Sequence, residues 1–297
     1  MRRVLIIAGA TASGKTTLAI ELAGQLNAEI IGADSRQVYR GMSIGTAAPT
    51  ARERSQVAHH LVEFLDPQDR YSAARFARDA TRAICDIHSR GKHAIVVGGT
   101  GFYIRALMGG VTLAPQYDAD LRARLADEAR VHSAEFLHEW LRLRDPVRAN
   151  AIDPNDQYRV LRALEIALIP ESEGARDDVS WTIAPSGLAF VGLFLDVPFT
   201  ELDERIARRT EMMLREGLVA EAESIGWRAV AASAVGYPQA LAYLAGWSSE
   251  SELVSTLARA TRRYARRQRA WFRNEPTLQW VGRDRAIDCA KELLDEP

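Results

Sequence analysis

A glycine-rich segment at residues 9–16, GATASGKT, directly follows the apolar run Val4–Ala8. Its glycines let the backbone turn N–H groups toward a polyphosphate, and the N-terminus of the helix that follows faces the same anion. Lys15 can reach the terminal phosphates, and Thr16 can hold a Mg²⁺ ion. Because a strand, this loop and a helix form the context that such a site requires, the segment predicts a phosphate-binding loop, or P-loop.

A carboxylate, Asp34, follows the second apolar run, Glu29–Ala33. Most P-loop NTPases have an acid at the end of an apolar strand, but the third run, Ala94–Gly98, leads into an acid-free Gly-Gly-Thr-Gly turn. Simple ATP hydrolysis is therefore not favoured, and we expect Asp34 to be the general base for group transfer to a hydroxyl or amine. Thr100, in that turn, would offer its hydroxyl to the same cavity. A helix cap or turn is the alternative role for Asp34.

Arginines dominate residues 259–273, a segment that contains no acid and interleaves Tyr264, Trp271 and Phe272. Arginine binds phosphates whatever the base sequence, and aromatic faces can stack on an extruded base, so this pattern indicates a nucleic-acid partner. A solvated basic helix with a core-facing aromatic edge is the alternative. A second group of arginines begins the helix after Asp196, where a phosphotransferase lid would stabilise the transferring group. Its members are Arg205, Arg208 and Arg209.

These residues need a scaffold, and four β-like runs separated by segments of helical period predict it. The runs are Val4–Ala8, Glu29–Ala33, Ala94–Gly98 and Leu188–Asp196. This alternation predicts an α/β fold, a P-loop NTPase-like, mostly parallel sheet flanked by helices, with ligands at the carboxyl ends of its strands. After the fourth run we expect helices, apart from a short edge strand at Leu278–Val281.

Residues Pro115–Ile169 contain no convincing strand, and residues 115–185 are predicted to form an all-helical insertion. Its helices are expected at Leu121–Val131, Ala134–Leu143 and Asp156–Leu168, and a polar loop at Pro170–Pro185 would return the chain to the core. The predicted domains are therefore a catalytic core, residues 1–114 and 186–297, and this insertion.

Composition limits the class of protein. The chain has 297 residues, 47% of them hydrophobic, and a formal net charge of −1, so it can form a large globular core. Membrane spans need ~20 apolar residues in succession, and no segment approaches that length. Because the first strand also begins too early for a signal peptide, we expect a cytoplasmic protein without a membrane partner.

Cys85 and Cys289 have neither disulfide nor zinc spacing, and we expect His59 and His60 to pack or hydrogen-bond rather than bind metal.

Several segments, spread over almost the whole chain, carry motifs that occur together in one enzyme family. They are GATASGKT at 9–16, DSRQVYRG at 34–41 with GT at 45–46, HHL at 59–61, GGT at 98–100, DQYR at 156–159 with RALE at 162–165, and RRQ at 266–268 before WFR at 271–273. The chain resembles the tRNA dimethylallyltransferases. These enzymes transfer a dimethylallyl group from dimethylallyl diphosphate to the N6 amine of the adenosine 3′-adjacent to the tRNA anticodon, and the resemblance implies the same reaction here.

The resemblance also implies a role for each site residue. Asp34 would take the proton from the weakly nucleophilic adenine amine, while Thr100 and Arg209 would help to hold substrate and leaving group. Thr16 would hold Mg²⁺ against the diphosphate. The residues implied to bind the diphosphate are Gly9, Thr11, Ala12, Ser13, Gly14, Lys15 and Thr16.

By the same resemblance, the insertion would clamp the anticodon stem-loop, and the target base would leave its stack to enter the cavity. The implied tRNA-binding residues are Ser35, Arg36, Gln37, Arg122, Gln157, Arg159, Arg162, Arg262, Arg266 and Arg267. The helical spacing of Arg159, Arg162 and Glu165 also fits a salt-bridged helix face, which is the alternative interpretation. We expect the protein to act as a monomer.

The chain departs from the family pattern near its C-terminal RNA motifs. Pro238 and Gln239 stand where a basic residue and an acid are expected, Ala270 replaces a threonine, and Arg266 replaces a lysine. These changes concern RNA contacts rather than transfer chemistry. The competing interpretations are a P-loop small-molecule kinase that uses ATP, a non-catalytic RNA-binding protein, and an enzyme that prenylates free adenosine phosphates.

Overall fold

The computed structural model describes residues 2–110, 119–168 and 187–295. The chain divides into two compact units: Met1–Val111 with Ile183–Pro297, and Thr112–Thr182. The polar loop predicted at Pro170–Pro185 lies outside the described residues. Among the helices in the described ranges, none combines the length and the apolar character that a bilayer crossing needs.

A parallel sheet forms the centre of the first unit. Its strands in the described residues are β1 (Arg2–Gly9), β2 (Ala28–Gly32), β3 (His59–His60), β4 (His93–Gly98), β5 (Leu188–Leu195) and β6 (Leu278–Val281). They pair in the order β3-β2-β4-β1-β5-β6, and every pair is parallel. The predicted α/β fold is confirmed, including the edge strand β6. Strand β3 was not predicted, because two residues are too few to give a periodic signal.

Helices connect these strands. They are α1 (Lys15–Leu26), α2 (Ser43–Thr46), α3 (Ala51–Gln56), α4 (Ala73–Ser89), α5 (Gly101–Leu107), α6 (Ala119–Val131), α7 (Ala134–Arg144), α8 (Pro146–Ala151), α9 (Gln157–Ala167), α10 (Phe199–Glu216), α11 (Leu218–Ile225), α12 (Tyr237–Leu244), α13 (Glu250–Phe272) and α14 (Ala286–Asp295). Residues Val4–Ala8 of β1 have no exposed surface, which is why this strand has a continuous apolar sequence rather than an alternating one.

Two apolar cores of the first unit position the site. One joins Leu5 and Ile7 of β1 to the buried faces of α1 and α14. The other joins Val38 and Met42, in the segment after β2, to α11, α12 and α13. The second core fixes that segment, which extends from the carboxyl end of the sheet.

The second unit is helical in its described residues and contains α6, α7, α8 and α9. Its core includes Leu125, Leu137, Leu141, Val160 and Leu164. The three helices predicted in this region are present, but the short helix α8 was not predicted. It begins with a proline at a position where no N–H is needed, and the preceding aspartate caps it.

Candidate active site

The P-loop turns sharply between β1 and α1. Ala12 and Gly14 adopt positive φ angles of 65° and 91°, and the Ser13 N–H donates to the Ala10 carbonyl oxygen at 3.2 Å. Helix α1 begins at Lys15 without a side-chain cap. The first N–H groups of any α-helix have no partner within it, and because no side chain caps them here, they can bind an anion.

Two cations lie at this loop. Desolvation lowers the pKa of Lys15 to about 8; the nearby charge of Asp34 opposes this shift and that of Arg209 adds to it. Desolvation also lowers the pKa of Arg209, whose Nη1 donates to Thr11 Oγ1 at 3.3 Å. Bringing an anion to two desolvated cations is favourable, because its charge replaces the hydration that they have lost.

Arg205 holds the outer face of the P-loop. Its Nη1 donates to the carbonyl oxygens of Ser13 at 2.9 Å and Ala12 at 3.3 Å, and its Nη2 pairs with Glu201. The loop carbonyls are thus bound from α10. Beneath the loop, Gly9 makes room for Ser13, because a Cβ on Gly9 would lie 2.6 Å from Ser13 Oγ.

Asp34 lies just beyond the end of β2, beside the end of β4. The preceding residue, Ala33, donates its N–H to Val97 O at 2.7 Å, and a Cβ on Gly98 would lie only 2.0 Å from Ala33 O. Asp34 Oδ1 accepts the Arg36 N–H at 2.9 Å, a local turn that orients the carboxylate. The turn considered as an alternative is therefore present, and the same carboxylate also lines the cavity.

Thr100 lies beside this carboxylate rather than in the cavity wall. Its Oγ1 accepts the Ser35 N–H at 3.0 Å, so it holds the backbone next to Asp34. Burial of Tyr264 on α13, together with the Asp34 charge, raises the pKa of this tyrosine. Tyr264 itself lines the cavity.

A cavity of about 940 Å³ in the first unit brings these groups together. The predicted site residues that line it are Thr11, Ala12, Gly14, Lys15, Thr16, Asp34, Ser35, Arg36, Gln37, Arg209 and Arg267. Helix α2 forms part of its wall. Glu221 holds that helix by accepting the N–H groups of Ile44 at 2.9 Å and Gly45 at 2.7 Å, and Gln37 Nε2 donates to Ala47 O at 2.9 Å.

The arginines of α13 have different surroundings. Arg267 lines the cavity, with its guanidinium 6.0 Å from the Tyr264 ring centre. Arg266 lies over the Phe199 ring at 5.8 Å, and Arg262 Nε is 3.4 Å from Asp203 Oδ1. The segment thus contributes Arg267 to the cavity and packs on α10 through Arg262 and Arg266. Its interpretation as an RNA-binding segment stays a prediction.

In the second unit, the predicted RNA-binding residues have local partners. Arg159 pairs with Asp156, Arg162 Nη1 is 2.6 Å from Glu165 Oε1, and the Arg122 guanidinium is 6.0 Å from the Tyr158 ring centre. Gln157 Nε2 donates to Ala129 O at 3.4 Å. The salt-bridged helix face that the spacing suggested is thus present on α9, and 72% of the Arg159 side-chain surface remains exposed.

The two adjacent histidines form hydrogen bonds, as the sequence predicts. His59 Nδ1 lies 2.8 Å from Val57 O, and His60 Nε2 lies 2.8 Å from Glu29 Oε2. Both cysteines are free thiols. In the part of the chain that the structure describes, no group of three or more His, Cys, Asp or Glu side chains is arranged to hold a metal ion.

Gln268 was missed as a site residue. Its buried side chain contacts both the P-loop, at Thr11, and the turn after β4, at Gly99. The spacing in the sequence could have indicated this residue. Tyr264 and Gln268 are one helical turn apart, so they lie on the same face of α13, and this face turns inward among the exposed arginines.

A family model described as IPP transferase matches residues 37–275. The chain belongs to the IPP transferase family. The match begins after the P-loop and Asp34, so the roles expected of these residues rest on their motif and geometry. The family resemblance inferred from the sequence is confirmed, and the kinase alternative is not favoured.

Relatives and solved structures match over nearly all of this chain. A tRNA dimethylallyltransferase of Geobacter sulfurreducens is 41% identical and covers 94% of this chain and 91% of its own. The structure of a tRNA isopentenylpyrophosphate transferase from Bacillus halodurans is 38% identical, with a TM-score of 0.69, and covers 98% of this chain and 95% of its own. A eukaryotic dimethylallyltransferase acting on tRNA is 25% identical, with a TM-score of 0.76, and covers 95% of this chain and 74% of its own.

Proposed function

We propose that this protein transfers a dimethylallyl group from dimethylallyl diphosphate to the N6 amine of the adenosine 3′-adjacent to the anticodon in tRNA. The observation that carries the proposal is a single cavity that contains a P-loop, two desolvated cations and the carboxylate of Asp34. Such a cavity suits the displacement of a diphosphate by an amine, and the names of the relatives supply the tRNA acceptor.

On the donor side, the P-loop N–H groups, Lys15 and Arg209 bind the diphosphate. The bond between C1 of the dimethylallyl group and the bridging oxygen breaks, and its electron pair leaves with the diphosphate. The cations stabilise this developing charge, a contribution that typically changes rates by about 10²–10³ for one donor.

Mg²⁺ fits the donor side. Thr16 lies in the cavity wall at the start of α1 and carries a hydroxyl group. Mg²⁺ is commonly held by substrate phosphates, water and only one or two protein oxygens. Thr16 would hold the ion, which when bound supplies neutralisation of the diphosphate charge.

On the acceptor side, the N6 nitrogen attacks C1, and Asp34 Oδ2 accepts the proton that the amine loses. Asp34 Oδ1 is occupied by the Arg36 N–H, so the second oxygen is the one available. Thr100 keeps this segment in place through the Ser35 N–H, and Ser35, Arg36 and Gln37 would line the base pocket.

For RNA binding, we propose the helical insertion, residues 115–185, as the part that contacts the anticodon stem-loop. Arg122, Gln157, Arg159 and Arg162 would contribute there. Arg262, Arg266 and Arg267 would contribute from α13. We further propose a monomeric enzyme whose compartment is the cytoplasm, where its tRNA substrate is found.

The test is mass analysis of nucleosides from unmodified bulk tRNA incubated with the protein, Mg²⁺ and dimethylallyl diphosphate. We expect adenosine to gain one dimethylallyl group, and an anticodon stem-loop lacking that adenosine to gain none. Parallel tubes contain ATP with a metabolite pool, or AMP as prenyl acceptor. ATP consumption without prenylation would support the kinase interpretation, and prenylation of AMP instead of tRNA would indicate the enzyme that acts on free adenosine phosphates.

A further inference from the structure

Gln268 joins two loops of the site. Only 6% of its surface is exposed. Its Oε1 accepts the Thr11 N–H at 2.8 Å, and its Nε2 donates to the Gly99 carbonyl oxygen at 3.0 Å. Thr11 belongs to the P-loop after β1, Gly99 belongs to the turn after β4, and β1 and β4 are neighbours in the sheet. A single side chain therefore fixes the spacing between these loops.

The chemistry of the bridge requires an amide. The atom that faces Thr11 must accept a hydrogen bond, and the atom that faces Gly99 must donate one; a glutamine does both from one planar group. A glutamate would place an oxygen against the Gly99 carbonyl oxygen, and a methionine would leave both backbone groups without this partner. The glycine is part of the fit, since a Cβ there would lie 2.2 Å from Gln268 Nε2.

Each end of the bridge leads to a functional group. On the P-loop side, Thr11 also accepts a hydrogen bond from Arg209 at 3.3 Å. On the other side, Thr100 follows the bridged glycine and holds the N–H of the residue after Asp34 at 3.0 Å. Gln268 does not line the cavity. It can therefore affect the donor-binding and proton-accepting groups only through the loops that carry them.

We propose that Gln268 is a positioning residue for prenyl transfer, which sets the diphosphate-binding loop and the Asp34 segment at the spacing that the reaction needs. Its neighbours Arg266 and Arg267 lie on the same helix, so the helix proposed to bind RNA also aligns the donor site. The kinetic part of this inference rests on the proposed function.

The test uses two variants of matched length, Gln268→Met and Gln268→Glu. For Gln268→Met we expect the donor KM to rise and kcat to fall, each on the order of tenfold, because two buried hydrogen bonds are lost. The glutamate variant should be impaired at least as strongly. The Kd for tRNA, measured at fixed salt, should stay within about twofold, and inorganic diphosphate should raise the Tm of the variants less than that of the wild type.

Ser249→Ala is the matched control. Ser249 caps the same helix by accepting the Glu252 N–H at 3.3 Å, and it lies 19 residues from Gln268, or about 28 Å along the axis. This variant should lower the Tm and leave KM and kcat within about twofold. Unchanged kinetics in Gln268→Met, or equal kinetic losses in Ser249→Ala, would overturn the proposal. If the wild type transfers no prenyl group, the proposed function fails, whereas the inorganic diphosphate experiment still decides the role of Gln268.

Discussion

The two ends of the parallel sheet differ in whether their buried charges form ion pairs. At the amino end, the Glu29 side chain is 4% exposed and surrounded by basic side chains. Its oxygens lie 2.8 Å from Arg90 Nη2, Lys92 Nζ and His60 Nε2, and these contacts, that of Arg90 first, hold the pKa of Glu29 well below its usual range. The charge of this cluster is balanced within the fold.

At the carboxyl end, the cations are not balanced. Among the described residues, no carboxylate lies within ion-pair distance of Lys15 or Arg209, and the Lys15 ammonium has a hydrogen bond only to Ala10 O, at 3.4 Å. Charged side chains that pair with one another maintain a fold, whereas desolvated cations without an ion-pair contact indicate a binding site. The comparison therefore separates structural from functional charge within one sheet.

The strongest test removes one lysine from each end. Lys15→Ala should lower kcat/KM for the donor on the order of 10³, because a cation that stabilises the leaving diphosphate is lost. Lys92→Ala should leave it within about twofold, because Arg90 and His60 still contact Glu29. Initial rates of prenyl transfer to tRNA measure both effects. A comparable kinetic loss in Lys92→Ala would contradict the distinction between structural charge at the amino end and functional charge at the carboxyl end.

Asp34→Asn tests the carboxylate near the unbalanced cations. The asparagine side chain has the same size as aspartate but cannot accept the proton of the amine, so kcat should fall by roughly 10²–10³. The stabilisation by inorganic diphosphate and the Kd for tRNA should be retained. These are measured by thermal unfolding and by equilibrium binding, and full turnover in this variant would refute the assignment of Asp34 as general base.

Glu29→Gln should affect stability rather than catalysis. The variant leaves partly buried cations without a counter-charge, and we expect a loss of about 2 kcal/mol in the free energy of unfolding, measured by urea titration. Because folding lowers the pKa of Glu29, its charge stabilises the protein above the unfolded value of about 4.5, and this benefit decreases as the pH falls below that value. The difference from wild type should therefore shrink in acid, and a constant difference would contradict the explanation.

The pH dependence of donor use gives the smallest effect. Lys15 binds the diphosphate in its charged form, and its pKa in the free protein is lowered to about 8. Hence kcat/KM for the donor should decline above about pH 8, by at most about tenfold per pH unit. In Lys15→Arg, whose side chain stays charged, this decline should vanish even if the absolute rate is lower. A flat wild-type profile up to pH 9.5 would contradict the role of Lys15.

Local patterns allowed much of the scaffold to be predicted. The P-loop and the strands leading to it combine apolar runs with residues of special backbone geometry, and both signals lie within a few positions of each other. Asp34 could be named because it follows a predicted strand. Arg209 could be named because it belongs to a group of arginines in a predicted helix, although the structure places it in the middle of α10 rather than at its start. Their roles as general base and leaving-group contact stay predictions.

Long-range partners could not be predicted. Gln268 meets Thr11 across 257 positions, and Glu221 meets Gly45 across 176, so no local period connects them. The contacts of Glu29 could not be predicted either, because its partners are also distant in the sequence. From its position alone, Glu29 is one charged residue in an apolar strand. Helix α2 was missed because its four residues are held by the distant carboxylate of Glu221 rather than by their own propensity.

The lengths of the two edge strands affect the tendency of the chain to aggregate while it folds. Parallel sheets assemble from distant segments and therefore form slowly, which exposes unpaired strands to other chains. Here the outermost strands span two residues at β3 and four at β6. Such short edges present few free backbone groups, so an incoming strand from another molecule gains little by pairing with them. The shortness of β3 and β6 thus limits aggregation at the two edges of the sheet, where longer strands would promote it.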